Sequence, residues 1–149
     1  VNRPVPETGL DGKFSVQYAT AIALLDRKIK VASFSDRRRF AADVESLLPR
    51  VTLNMRDDIP RSFQDCFAIV RVTMRDGRLL EERCDRPRGM WGLPLTRDER
   101  LAKFRDCCEG ALPADAVAKV IALVEGLDGA ASVAPLMDIV CRAKPVFPE

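Results

Sequence analysis

Histidine is absent from this chain of 149 residues. That removes the side chain most often used for acid–base catalysis near neutral pH. It also removes the usual nitrogen ligand of a zinc site. The five cysteines, Cys66, Cys84, Cys107, Cys108 and Cys141, contain no Cys-x-x-Cys pair. A thiolate metal site or a thioredoxin-like redox motif therefore has no footing. Their odd number fits free, mostly buried thiols in a reducing compartment better than a disulfide framework. Cys107 and Cys108 have no histidine to activate a thiolate, so both read as packing residues.

Long apolar runs are also missing. None approaches the ~20 residues that a membrane helix needs. The N-terminus, VNRPVPETGLDGK, has no apolar stretch of the signal-peptide kind. A charge excess is lacking too, with Lys+Arg 24 against Asp+Glu 22 and a net charge of +2, which gives no reason to expect nucleic acid. The densest basic run, Arg37-Arg38-Arg39, has no interleaved aromatics for base stacking and reads as a solvated helix face. Neither nucleic acid nor a membrane is expected as a partner, and a cytoplasmic location is. The chain begins with Val rather than Met, which reads as a chain trimmed or cut from something longer.

What is present is ordinary for a globular protein: 47% hydrophobic and 31% charged residues. The length suits one domain, and such a domain buries roughly 68–70% of its unfolded surface. Residues 1–12, rich in Pro and Gly, read as an extended lead-in. Residues 14–26 are apolar nearly all round, which predicts a buried helix with Ser15 as its N-cap. A second helix is expected from Asp36 to Leu48, with Phe40, Val44, Leu47 and Leu48 as its stripe and Pro49 as its stop. Residues 51–55 alternate like a strand.

Residues 67–75 and 78–84 predict a hairpin turning at Asp76-Gly77. A two-residue turn would set Val72 opposite Glu81. A three-residue turn, Arg75-Asp76-Gly77 with Gly77 left-handed, sets Val72 opposite Leu80 and Ala68 opposite Cys84. The second keeps one face apolar and is preferred. A loop from Asp85 to Leu95 follows. Thr96 and Glu99 then have capping-box spacing ahead of a helix striped by Leu101, Phe104 and Cys108. Pro113 opens another helix carrying Val117, Val120, Ile121 and Val124, with Gly126 as its stop. Ser132 is placed to cap a last short helix through Val140, and residues 143–149 read as a tail. The sum is an α+β domain over residues 13–142, a small antiparallel sheet with packed helices.

Several of these pieces recur in a fixed order: Pro6-x-Thr8, Phe14-Ser15-x-Gln17-Tyr18, Leu25-Asp26, the helix ahead of Pro49, the Asp76-Gly77 hairpin, Gly89-x-Trp91-x-x-Pro94-Leu95 and Lys103-Phe104. In that order and spacing they resemble the C-terminal part of the MmgE/PrpD family, from about Pro6 to Val140. Members of that family include 2-methylcitrate dehydratase, cis-aconitate decarboxylase and iminodisuccinate epimerase.

The resemblance implies the lid-like α+β domain of a larger protein, joined to an all-helical domain, with the active site in the cleft between them. It implies a lyase or isomerase of di- and tricarboxylic acids that uses no metal or organic cofactor. It also implies catalytic histidines and a lysine outside these residues, so that the chain alone is inactive. The tyrosine of the FSVQY-like motif is Tyr18, the one catalytic residue carried over.

Dehydrating a hydroxy-tricarboxylate, or decarboxylating its product, needs proton transfer beside a carboxylate and cations to hold the carboxylates. Tyr18 can donate a hydrogen bond or proton to developing charge, although a phenol with a pKa near ~10 does so poorly alone. The competing reading of Tyr18 is an ordinary core aromatic with its hydroxyl at the surface. Arg86 and Arg88 flank the Gly-rich loop and are candidates for binding substrate carboxylates, against the commoner reading of solvated loop arginines. Lys103 reads as an exposed amine beside buried Phe104, and Trp91 as a plug at the core edge. The expected partners are a small di- or tricarboxylic acid, a helical domain and a second copy of the chain. The last follows from a sheet edge that the family's preceding strand would fill. The alternative function is a non-catalytic remnant or interaction module that kept the fold.

Overall fold

Ser15 opens the helix around which the first unit is built. Its backbone is extended, its hydroxyl accepts from the Tyr18 N–H, and α2 runs Val16–Asp26. The cap supplies an acceptor to one of the N–H donors that a helix start leaves unpaired. Arg27 ends the helix in the left-handed region, at φ 60°. The protein is described by a computed structural model covering residues 2–62, 64–90 and 92–143. It divides into two compact units, Val1–Leu53 with Leu101–Glu149, and Asn54–Arg100.

In the first unit, α1 (Gly9–Gly12) precedes α2, and a 3-10 turn (Val31–Phe34) follows it. Two short helices come next, α3 (Asp36–Arg39) and α4 (Ala42–Leu47), then a 3-10 turn over Leu48–Arg50. The core joins Tyr18, Ala21 and Ile22 of α2 to Val44 and Leu48, with Leu25, Phe34, Ala41, Leu47 and Val51 packed around them. Fully burying one such aliphatic side chain contributes about 1.5–3 kcal/mol. Helix α5 (Arg97–Cys108) leads from the second unit into the first, where α6 (Ala114–Glu125) and α7 (Ala134–Val140) follow. The second unit holds the hairpin of β1 (Ala68–Thr73) and β2 (Leu79–Cys84). Seven α-helices and one two-stranded antiparallel sheet among the described residues make the α+β class expected from the sequence.

The hairpin has the preferred register, with Val72 opposite Leu80 and Ala68 opposite Cys84. Gly77 sits at φ 84°, and its N–H donates to the Met74 carbonyl at 3.0 Å. Arg71 and Glu81 face each other across the ladder and form an ion pair. The capping box also forms. Thr96 N–H donates to Glu99 Oε2 at 2.8 Å, and Glu99 N–H donates to Thr96 Oγ1 at 3.3 Å. Ser132 Oγ accepts from the Ala134 N–H at 3.1 Å, at the start of α7.

Several expectations need correction. Residues 1–12 are not simply an extended lead-in. Thr8 caps α1, and Pro6 is fully buried. A Cβ on Gly9 would lie 2.3 Å from the Ser35 carbonyl carbon, so only glycine permits that approach. The single helix over 36–48 is two helices, because Ala41 turns to extended backbone at ψ 142°. The break carries Val44 and Leu48 into the Tyr18 core while Phe40 stays 54% exposed.

The arginine run is not a solvated face. Arg39 is only 2% exposed, and its Nε donates to the Pro6 carbonyl at 2.7 Å. Arg38 forks between Asp26 and Asp43. Residues 51–55 form no strand; β1 pairs only with β2, so this alternating segment finds no ladder among the described residues. Helix α2 is buried on one face only, and Val16 and Leu24 are exposed. Of the five cysteines only Cys108 is buried, whereas Cys84, Cys107 and Cys141 are exposed. The Phe104 and Leu101 stripe is half-buried. Trp91 and residues 144–149 of the tail lie outside the described residues.

Candidate functional site

Tyr18 is held from three sides within the first unit. Its ring stands against Gly12, where an added Cβ would come within 2.6 Å of Cδ1. Its edge meets Phe34 at 6.2 Å between ring centroids, tilted by 53°. Its hydroxyl donates to the Ser33 carbonyl at 2.5 Å. The residue is fully buried, so its hydroxyl does not lie at the surface, and no atom of it is open to a substrate in this arrangement. Burial pushes the phenol above its ordinary value, against the opposing pull of Arg38 and Arg39. The group therefore stays protonated through the neutral range and can act as a donor, not as a base.

Arg86 and Arg88 belong to the second unit, in the loop that precedes Thr96. Gly89 and Gly92 take left-handed φ values of 92° and 78°. The loop closes on itself where Gly89 N–H donates to the Leu93 carbonyl at 2.9 Å. Arg88 donates to Glu99 Oε2 at 2.6 Å. The same carboxylate also accepts from the Thr96 N–H and hydroxyl. These bonds, the Thr96 backbone first and Arg88 next, hold the Glu99 carboxyl below its usual range. Arg88 thus reinforces the capping box through its Nη2. Arg86 is exposed, and no carboxylate among the described residues pairs with it. A Cβ on Gly92 would come within 3.1 Å of its Nη1. Lys103 is exposed, as expected.

Two side chains that sequence reasoning passed over are buried and polar. Gln17 is 3% exposed and lies next to Tyr18 on α2. Its signal was a lone amide inside a mostly apolar helix. Arg39 had no such signal, because nothing distinguishes it from Arg37 and Arg38 before the chain is folded. Its Nη1 pairs with the Glu45 carboxylate. Beside it, Asp26 and Asp43 grip Arg38. Arg38, through its hydrogen bonds, holds the Asp43 carboxyl below the ordinary carboxylate range.

Among the described residues no cluster of three or more His, Cys, Asp or Glu side chains could hold a metal ion. No helix among them is long and apolar enough to cross a membrane.

Residues 1–128 match the model of the MmgE/PrpD C-terminal domain family. Curated relatives carry one name. The chain is 34% identical over 128 residues to cis-aconitate decarboxylase of Mus musculus, which covers 86% of this chain and 26% of that protein. The Homo sapiens protein of the same name is 33% identical over 128 residues, 86% of this chain and 27% of its own length. That of Aspergillus terreus is 26% identical over 144 residues, 93% of this chain and 29% of its own length. The chain thus spans between a quarter and a third of the relatives it matches.

Proposed function

Because the chain belongs to the MmgE/PrpD family, we propose that it is the C-terminal domain of a cofactor-independent lyase or isomerase. Its substrate would be an unsaturated or hydroxylated di- or tricarboxylic acid. A helical domain would complete the active site, and the chain would be inactive without it. One observation carries this reading: the match takes in 86% of this chain but only 26% of the mouse relative. The relatives' name makes cis-aconitate the first substrate to test, with 2-methylcitrate-type dehydration as the second. The missing histidines point the same way, since proton transfer near neutral pH needs groups that this chain lacks.

In this reading Tyr18 is the chain's proton or hydrogen-bond donor to developing negative charge. Its raised pKa supports a protonated donor. To act, its hydroxyl must exchange the Ser33 carbonyl for the substrate. Arg86 is the better placed of the two loop arginines to bind a carboxylate, because Arg88 already pairs with Glu99 through its Nη2. The isolated chain is proposed to pair with a second copy through its hairpin, whose outward apolar side chains include Val70 and Leu80.

The second reading is a remnant that kept the fold without catalysis. Full burial of Tyr18 favours it. A chimera separates the two: residues 1–128 replace the matching segment of the mouse relative, and decarboxylation is followed with Tyr18 or with Tyr18→Phe. If Tyr18 is the donor, the Phe variant folds and loses about 10²-fold or more in kcat. Equal activity with an intact fold would return Tyr18 to the core.

A further inference from the structure

The Ser33 carbonyl that receives the Tyr18 hydroxyl lies in the 3-10 turn Val31–Phe34. That turn is held unequally at its two ends. At the far end Gly9 packs against the backbone of Phe34 and Ser35. The Ser35 hydroxyl also caps α3 there, accepting from the Arg38 N–H at 3.3 Å. At the near end Lys28, Ile29, Lys30, Val31 and Ala32 are all exposed. Two contacts reach this end from the neighbourhood of α5. Val31 N–H donates to Asp106 Oδ2 at 3.2 Å, across 75 residues of sequence. Lys30 Nζ stands 3.8 Å from Glu109 Oε2, an exposed pair that contributes little. The Asp106 bond has an ionised acceptor, which makes it roughly twice as strong as a neutral one. Asp106 is therefore the main tether of the near end.

Resting on the reading of Tyr18 as the donor, we propose that this turn is a latch over the Tyr18 hydroxyl and that Asp106 is the positioning residue that keeps it shut. Ser33 lies two residues past Val31. Lifting the near end about the Gly9-held end carries the Ser33 carbonyl off the hydroxyl. The phenol is then a donor without a partner, which costs free energy until another acceptor takes the carbonyl's place. An anionic oxygen of the substrate is such an acceptor. With the tether made, the turn closes and the hydroxyl is sequestered. A segment with few buried contacts can open in this way while the rest of the fold stays intact.

The single tyrosine gives a single reporter. In the full chain labelled at the tyrosine Cζ, exchange of the Tyr18 hydroxyl proton with solvent is followed by NMR at rising urea. The backbone amide of Ile22, in the core of α2, is followed beside it. In the wild type the hydroxyl should exchange by local opening, with little dependence on urea. The Ile22 amide should follow global unfolding and its steep dependence. Asp106→Ala should speed hydroxyl exchange about tenfold, the effect of losing one such hydrogen bond, with the weak urea dependence kept. Asp106→Asn retains an acceptor oxygen and should stay closer to the wild type than to the alanine variant.

A hydroxyl that shares the urea dependence of Ile22 would overturn the latch. So would exchange left unchanged by Asp106→Ala, or an asparagine variant that matches the alanine one. The wild-type urea series decides the matter even where a variant fails to fold. No substrate and no second domain enter the readout. A failed latch thus leaves the lyase reading to the chimera, and an inactive chimera leaves the latch untouched.

Discussion

The hydroxyl of Tyr18 ties α2 to the turn at Ser33, through a buried 2.5 Å hydrogen bond that bridges fifteen residues of sequence. Tyr18→Phe in the isolated chain strands the Ser33 carbonyl. That should cost about 1–3 kcal/mol of stability, read as a lower urea midpoint at unchanged slope. A stability within 0.3 kcal/mol of wild type, on the order of ordinary measurement scatter, would mean that the bond is not made in solution.

Gly12 tests the same contact from the other side. Gly12→Ala places a Cβ within 2.6 Å of the Tyr18 ring, too close for both to stay. Overpacking of this kind typically costs about 1–3 kcal/mol. Because the chain has a single tyrosine, the displacement can be read from its ring resonances. Unshifted resonances would contradict the packing described here.

Arg39 should behave differently from Arg37, two positions away in the same run. Arg39→Met leaves the buried Pro6 carbonyl without its donor and Glu45 without its cation. A loss on the order of 3 kcal/mol is expected, whereas exposed Arg37→Ala should stay within about 0.5 kcal/mol. Chemical denaturation of both variants checks this ordering, and equal effects would restore the reading of a solvated face.

Asp43 gives the acid side of the stability curve. Its folded pKa lies below the unfolded value, chiefly through the Arg38 hydrogen bonds. Its contribution is therefore complete above the unfolded value, near ~4, and is lost as pH falls through the folded one. The stability difference between wild type and Asp43→Asn should shrink as pH drops below ~4. A constant difference from pH 7 down to pH 2 would rule out this linkage.

Val70 and Leu80 are 44% and 52% exposed on the hairpin, and a two-stranded hairpin with an uncovered apolar face is prone to association. Sedimentation across a concentration series should show reversible dimers, weakened by Leu80→Lys. A clean monomer at high concentration would remove the homodimer from the account.

Local rules read the sequence well where a short-range signal decided the outcome. Ser15, the Thr96/Glu99 pair and the left-handed Gly77 each act within a few residues, and each formed as expected. The arginine run failed for the opposite reason. What buries Arg39 is a carbonyl at Pro6, far away in sequence, and no periodicity encodes such a contact. Phe40 looked like a core residue only while the helix was taken as continuous; the turn at Ala41 rotated it outward. For the candidate site, the motif led to Tyr18, but its burial and its Ser33 partner emerge only in three dimensions.

The central claim, that this chain is one part of a lyase, is tested most directly by following cis-aconitate by ultraviolet absorbance with two proteins. One is the purified chain. The other is the chimera carrying residues 1–128 in place of the matching segment of the mouse relative. The account predicts no turnover by the chain alone and turnover on the order of 1 s⁻¹ by the chimera. Turnover at that rate by the isolated chain, or a folded chimera with none, would contradict it.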